Sequence, residues 1–197
     1  MTDTERADAP SSRERLLALV ADVILEHGVA DLSLSRIARL IGSNNRMLLY
    51  YFGSKEELLN QATLAAFERF PRINGMLGRL RGEGPGDALD PAARLLRAWA
   101  DISHPDNLPF LALFFEAYGI ALHLPSANRG YFTRIAEAWV PEVEQMLAGA
   151  GVPADAARLR AVQVVSTWRG LQFALLAGTP RDALDAAYAA MIADIVR

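Results

Sequence analysis

The apolar residues of this chain recur at helical spacing almost from end to end, and no alternating strand pattern survives beyond a few residues. That one regularity removes sheet-containing architectures and leaves an all-α fold, with about nine helices expected. The first begins at Ser11, where Ser11 and Glu14 have capping-box spacing, and it buries Leu17, Val20, Ala21 and Ile24. Gly28 is placed to end it in a left-handed conformation. A second helix is expected over Ser33 to Ile41, ended by Gly42, and a third over about Asn44 to Phe52, anchored by Leu48 and Phe52. A fourth starts at Ser54, where Ser54 and Glu57 repeat the capping-box spacing, and Pro71 is expected to kink or end it. After a Gly- and Pro-rich loop from Arg81 to Pro91, helices are expected near Pro91–Ser103, Leu108–His123, Arg129–Ala148, Ala154–Ala177 and Pro180–Val196, with a kink at Pro141.

The character of the chain changes near residues 53–57. Short helices and clustered cations precede the change, and longer, more aromatic and more apolar helices follow it. Two domains are therefore expected, residues 10–56 and 57–197. A hydrophobic fraction of 52% is ample for a sizeable core. The longest apolar run, Leu108 to Leu124, is interrupted by Glu116 and His123 and suits a buried helix better than a membrane span. The polar, acidic start of the chain and the lack of cysteine lead us to expect no signal peptide and a cytoplasmic location.

A formal net charge of -3 argues against a protein that coats nucleic acid generally. The charge is unevenly placed, however. Between Ser33 and Leu58 stand Arg36, Arg39, Arg46 and Lys55, with no acid before Glu56. A short helix, a glycine turn and a second short helix with a cationic start suit the major groove of DNA. Ser43, Asn44, Asn45 and Arg46 open the third helix, and Asn and Arg side chains can pair in bidentate fashion with adenine and guanine. Ser33 caps the second helix and Lys55 lies in the first turn of the fourth, where each is placed to meet a phosphate. Tyr50 and Tyr51 carry hydroxyls near the end of the third helix. Each of these residues, taken alone, is better read as solvated helix surface; the combination carries the expectation.

Residues Arg15 to Leu58 resemble the helix-turn-helix domain of the TetR family of transcriptional regulators. The resemblance lies in Arg15-Leu16-Leu17, Ala21, Gly28, Ser33 to Ala38, Gly42 and, most specifically, Tyr51-Phe52-Gly53-Ser54-Lys55-Glu56-Glu57-Leu58. It implies a homodimeric DNA-binding regulator, most often a repressor that binds a palindromic operator and is released by a small ligand. The chain departs from the family's pattern at Ser43-Asn44, at Arg46 and at Leu49, which stands where the family commonly has a phosphate-contacting Tyr. Phosphate contact is thereby expected from Tyr50.

In the last two helices, apolar residues cover most of the surface, and Val165, Trp168, Leu184, Tyr188, Met191, Ile192 and Ile195 are expected to form a dimer interface of four helices. Burial inside the protomer is the alternative for the same stripe. The middle helices hold Trp99, Phe110, Phe114, Glu116, Tyr118, His123 and Trp139, and these with Trp168 and Phe173 are candidates to line a pocket for a small apolar or aromatic effector. The same aromatics are also ordinary core material.

An all-helical enzyme finds little support. The three histidines have no metal-ligand spacing, there is no cysteine nucleophile and no GxSxG elbow, and Asp101 and Asp106 fall where helix caps are expected. No cofactor or metal is expected. The remaining alternative is a small-molecule-binding or interaction protein of the same fold with weak or lost DNA recognition.

Overall fold

The computed structural model describes residues 11–83, 90–123 and 138–195. Among these residues every regular element is a helix, ten α-helices and one short 3-10 turn. They form two compact units that divide between Arg69 and Phe70.

The N-terminal unit contains α1 (Ser12–His27), α2 (Leu34–Leu40), α3 (Asn45–Phe52) and α4 (Lys55–Phe67). Local chemistry sets each boundary. The Ser11 hydroxyl accepts from the Glu14 amide at 3.2 Å and the Glu14 carboxylate accepts from the Ser11 amide at 2.7 Å. Those bonds hold the Glu14 carboxyl below its ordinary pKa, the bond from the Ser11 backbone contributing most. Gly28 stops α1 at a positive φ of 71°, but its ψ of -170° lies outside the left-handed helical region expected. Gly42, at φ 66°, turns the chain out of α2 so that the Ser43 amide reaches back to the Ala38 carbonyl at 2.8 Å. At Ser54 only half of the expected capping box forms. Its hydroxyl accepts from the Glu57 amide at 3.1 Å, while the Glu57 side chain accepts from Gln61. The core of the unit is Val20, Ala21, Ile24, Ile37, Leu48 and Leu58, with Phe52 beneath the Arg13 guanidinium.

Helix α4 packs along α1 and is tied to it by hydrogen bonds from Arg13 to Gln61 and from Arg69 to Asp22 and to the Ala18 carbonyl. The compact unit therefore includes α4, past the expected boundary at residue 56.

The C-terminal unit contains α5 (Pro71–Arg81), α6 (Pro91–Ile102), a 3-10 turn (Pro105–Asn107), α7 (Leu108–Leu122), α8 (Trp139–Gly149), α9 (Ala154–Leu176) and α10 (Arg181–Ile195). Pro71 does more than end a helix: it opens α5 at a first-turn position, where its missing N–H costs nothing. Pro141 likewise sits in the first turn of α8. The earlier part of the helix expected from Arg129 lies outside the described residues. Asp101 is not a loop cap. It is in α6, 4% exposed, and accepts from Arg79 Nε at 2.8 Å, with Arg72 and Arg97 within 3.9 Å.

A row of rings crosses the unit. Trp99 meets Tyr188 at 5.9 Å between centroids, Tyr188 meets Trp168 at 6.5 Å, and Trp168 meets Trp139 at 5.9 Å. Phe70, Phe110 and Phe114 continue on the other side, at 5.5 and 6.2 Å between successive centroids. Asp185 accepts from the Trp99 indole at 2.6 Å and the Leu95 carbonyl from the Tyr188 hydroxyl at 3.3 Å, whereas the Trp168 indole nitrogen is buried without a partner.

Candidate functional site

The second and third helices form the candidate nucleic-acid interface. Leu48 and Phe52 hold α3 to the core, and that leaves Asn45, Arg46, Met47, Leu49 and Tyr50 outward. Asn44 ends the turn as the cap of α3: its side-chain oxygen accepts from the Met47 amide at 3.0 Å. That bond makes Asn44 a residue that positions the helix. Asn45 donates to the Ser35 hydroxyl at 2.9 Å, which links α3 to α2 and orients the amide. Arg46 is exposed and free of hydrogen bonds and ion pairs among the described residues.

The surrounding charges follow the same pattern. Arg36, Arg39, Arg46 and Lys55 make no ion pair among the described residues, whereas Arg69 of the same unit is paired with Asp22. Ser33 caps α2 through the Arg36 amide at 3.1 Å. Tyr50 is 77% exposed, and Tyr51 is half-buried with its ring edge-on to Tyr50 at 5.0 Å. Ser43 is half-buried in the turn. Helix α3 has eight residues, about two turns, and matches the short third helix expected from about Asn44 to Phe52. Arg39 and Arg46 are exposed and Arg36 and Lys55 half-buried, in a stretch with no acid before Glu56 on a chain whose net charge is negative.

In the C-terminal unit the expected effector residues divide. Trp99, Phe110, Phe114, Trp139 and Trp168 are buried, Glu116 and Tyr118 are half-buried, and His123 and Phe173 are exposed. Phe114, Tyr118 and Trp139 gather around Arg169, a residue that the apolar pattern of α9 hid. Trp99 and Trp168 instead belong to helix-to-helix packing, and Phe173 touches only the edge of this group, through Phe115 at 6.1 Å.

Of the expected dimer stripe, Val165, Trp168, Leu184, Tyr188 and Ile192 are at most 6% exposed within a single chain, where they hold the unit together. Periodicity marks an apolar face but does not say what covers it. Met191 and Ile195 keep an accessible edge on an open groove shared with Gln163, Ser166 and Asp194. No group of three or more potential metal ligands occurs among the described residues, and no helix among them is long and apolar enough to cross a membrane.

The sequence profile of the N-terminal domain of bacterial regulatory proteins of the tetR family matches residues 16–62. The HTH-type transcriptional regulator BetI of Ectopseudomonas mendocina (strain ymp) is 28% identical over 123 residues, 61% of this chain and 60% of that regulator. The match thus spans less than two thirds of the length of this curated relative. Among solved structures, a Rhodococcus sp. protein assigned to the TetR family superposes with a TM-score of 0.72 at 20% identity, over 94% of this chain and 98% of its own. The multidrug binding protein EbrR, solved with imidazole, superposes with a TM-score of 0.64 at 22% identity, over 96% of this chain and 97% of its own. The tetR-family profile thus lies on the helix-turn-helix unit, and the chain shares the fold of these solved structures along most of its length.

Proposed function

We propose that this regulator is a ligand-responsive repressor that binds a palindromic operator as a homodimer. The observation that carries the DNA contact is the exposed start of α3 together with four cations that have no acidic partner among the described residues. An unpaired surface cation gains most from a phosphate, because that contact releases condensed counterions. Arg46 is the side chain free to read a base edge, and Asn45 is the second, held by Ser35. Ser33, Arg36, Tyr50, Tyr51 and Lys55 are assigned to the backbone, and Ser43 and Asn44 to the turn and cap that aim the helix.

Two half-sites call for a two-fold protein. For the interface we assign the face of α9 that the chain leaves exposed, with Leu159, Val162 and Phe173 at 62%, 42% and 64% exposure. Exposed alanines of α10 and the open edges of Met191 and Ile195 adjoin it in the sequence pattern. A dimer must set its two α3 helices about 34–36 Å apart, or a multiple of that, to reach successive major grooves. Ligand in the C-terminal unit then weakens operator binding, and by linkage the operator weakens ligand binding by the same factor. The binding of many compounds that EbrR's name records is in keeping with an effector role for this unit.

Selection of bound fragments from random DNA tests the reading. The expected product is a palindrome whose affinity falls steeply with salt, by a log–log slope of about 0.9 per phosphate contact. Arg46→Ala should relax the preference at one position per half-site, at a cost of about 1–3 kcal/mol, and Lys55→Ala should weaken all sequences alike and reduce the slope by about 1. Recovery of no preferred sequence would favour the second reading, a ligand-binding protein of this fold that does not recognise an operator.

A further inference from the structure

Arg169 is the outlier of the C-terminal core. Its guanidinium lies 4.4 Å from the centroid of Phe114 and 4.1 Å from that of Trp139, so aromatic rings occupy its surroundings where solvent would otherwise stand. Nη1 donates to Gln172 Oε1 at 3.1 Å, and Nη2 is buried with no partner. Gln172 is itself 0% exposed, and its Nε2 is also without a partner. No carboxylate pairs with Arg169 among the described residues, although Arg79, Arg81, Arg158 and Arg181 of the same unit each have one. Burial lowers the Arg169 pKa to about 10, so the group remains a cation at neutral pH.

A buried cation and a buried amide with open N–H groups are costly when nothing meets them. Stacked rings stabilise the charge through the guanidinium face but offer no acceptor to its N–H groups. The fork of an arginine matches the two oxygens of a carboxylate, and Gln172 Nε2 supplies a further donor beside it. Buried Phe114 and Trp139 and half-buried Tyr118 stand next to these donors as flat apolar neighbours, with the Tyr118 ring stacked on Phe114 at 6.0 Å. We propose that Arg169 and Gln172 are the anion-binding anchor of the effector site and that the effector is a planar aromatic carboxylate. The proposal rests on reading the C-terminal unit as the effector-binding unit. It sharpens that reading, since an apolar neutral compound leaves the two donors unmet and a cation is repelled.

The test uses the full-length protein, 2-naphthoate, and its neutral isostere 2-naphthamide, with calorimetry for affinity and the anisotropy of labelled operator for release. Naphthoate is expected to bind at least tenfold more tightly than naphthamide and to release the operator. Arg169→Met should abolish the preference, and Gln172→Met should reduce it. The unliganded Arg169→Met protein should melt no lower than the wild type, because it loses an uncompensated buried charge. Equal affinity for the two compounds, binding of neither, a preference that survives Arg169→Met, or a fall of several degrees in its melting temperature would each overturn the assignment. If both compounds bind equally and both release the operator, the effector reading stands and only the acid is wrong. If naphthoate binds through Arg169 yet leaves the operator bound, the anchor stands and ligand-responsive repression falls.

Discussion

At the scale of single residues, the C-terminal unit is organised by polar groups in apolar places. Asp101 is buried in α6 and meets Arg79 at 2.8 Å, while the three arginines around it keep contact with solvent. Removing the charge leaves those cations without their common partner but still able to reach water. Asp101→Asn is therefore expected to lower unfolding free energy by about 1–3 kcal/mol in urea titrations, less than for a fully buried pair. Tyr188 and Arg169 give a second prediction. Burial raises the Tyr188 pKa above its ordinary value of 10.0, so its neutral form favours the folded state. Above about pH 10 the unfolded chain loses that proton first and stability falls with pH, by up to about 1.4 kcal/mol per unit. Arg169, lowered by burial from its ordinary value to about 10, acts in the opposite sense: above that pH the folded protein sheds its charge while the unfolded chain retains it, and stability rises. Tyr188→Phe should thus tilt the alkaline stability profile upward relative to wild type, and Arg169→Met should tilt it downward. Coincident profiles for all three proteins above pH 10 would contradict both assignments. The sequence marked Tyr188 only as part of the dimer stripe and did not mark Arg169, because desolvation is a property of neighbours that come from other helices.

At the scale of elements, caps and turns carry the helix-turn-helix. Gly42 stands at φ 66°, and a Cβ there would meet nothing within 4 Å. The cost of Gly42→Ala is then backbone strain alone, about 1–2 kcal/mol of stability by chemical denaturation. Gly119 lies inside α7, also with open space around a built Cβ. Gly119→Ala should stabilise by about 0.5–1 kcal/mol, since it only reduces the freedom of the unfolded chain. Ser11 with Glu14, Ser33, the turn at Gly42 and Ser54 were all legible from spacing, because each involves residues only a few positions apart. The separate helix after Pro71 was half legible. Proline announces a break, but only the packed structure shows a helix resuming at once.

At the scale of the whole molecule, the proposed dimer makes a distinct prediction. Phe173 and Leu159 protrude from one helix, 14 residues apart in sequence, at 64% and 62% exposure. Four helical turns nearly separate them, so they share a face. Phe173→Glu with Leu159→Glu should convert the dimer to a monomer in sedimentation or light scattering while the far-ultraviolet helix signal persists. Operator affinity should then fall at least a hundredfold, since each half-site would have to bind alone. Trp168→Ala, by contrast, should cost about 3–5 kcal/mol of protomer stability, because that ring is fully buried within one chain. A dimer that survives the double glutamate change would place the interface elsewhere.

Periodicity, capping residues and turn glycines act over a few positions, so the amino-acid order alone was enough for an all-helical fold, a helix-turn-helix near the N-terminus and the cations on it. Which apolar face is covered, and by what, depends on side chains brought from distant parts of the chain. For that reason the stripe of Val165, Tyr188 and Ile192 turned inward, Asp101 acquired its arginines, and Arg169 came to lie between two rings only once α7, α8 and α9 were packed together.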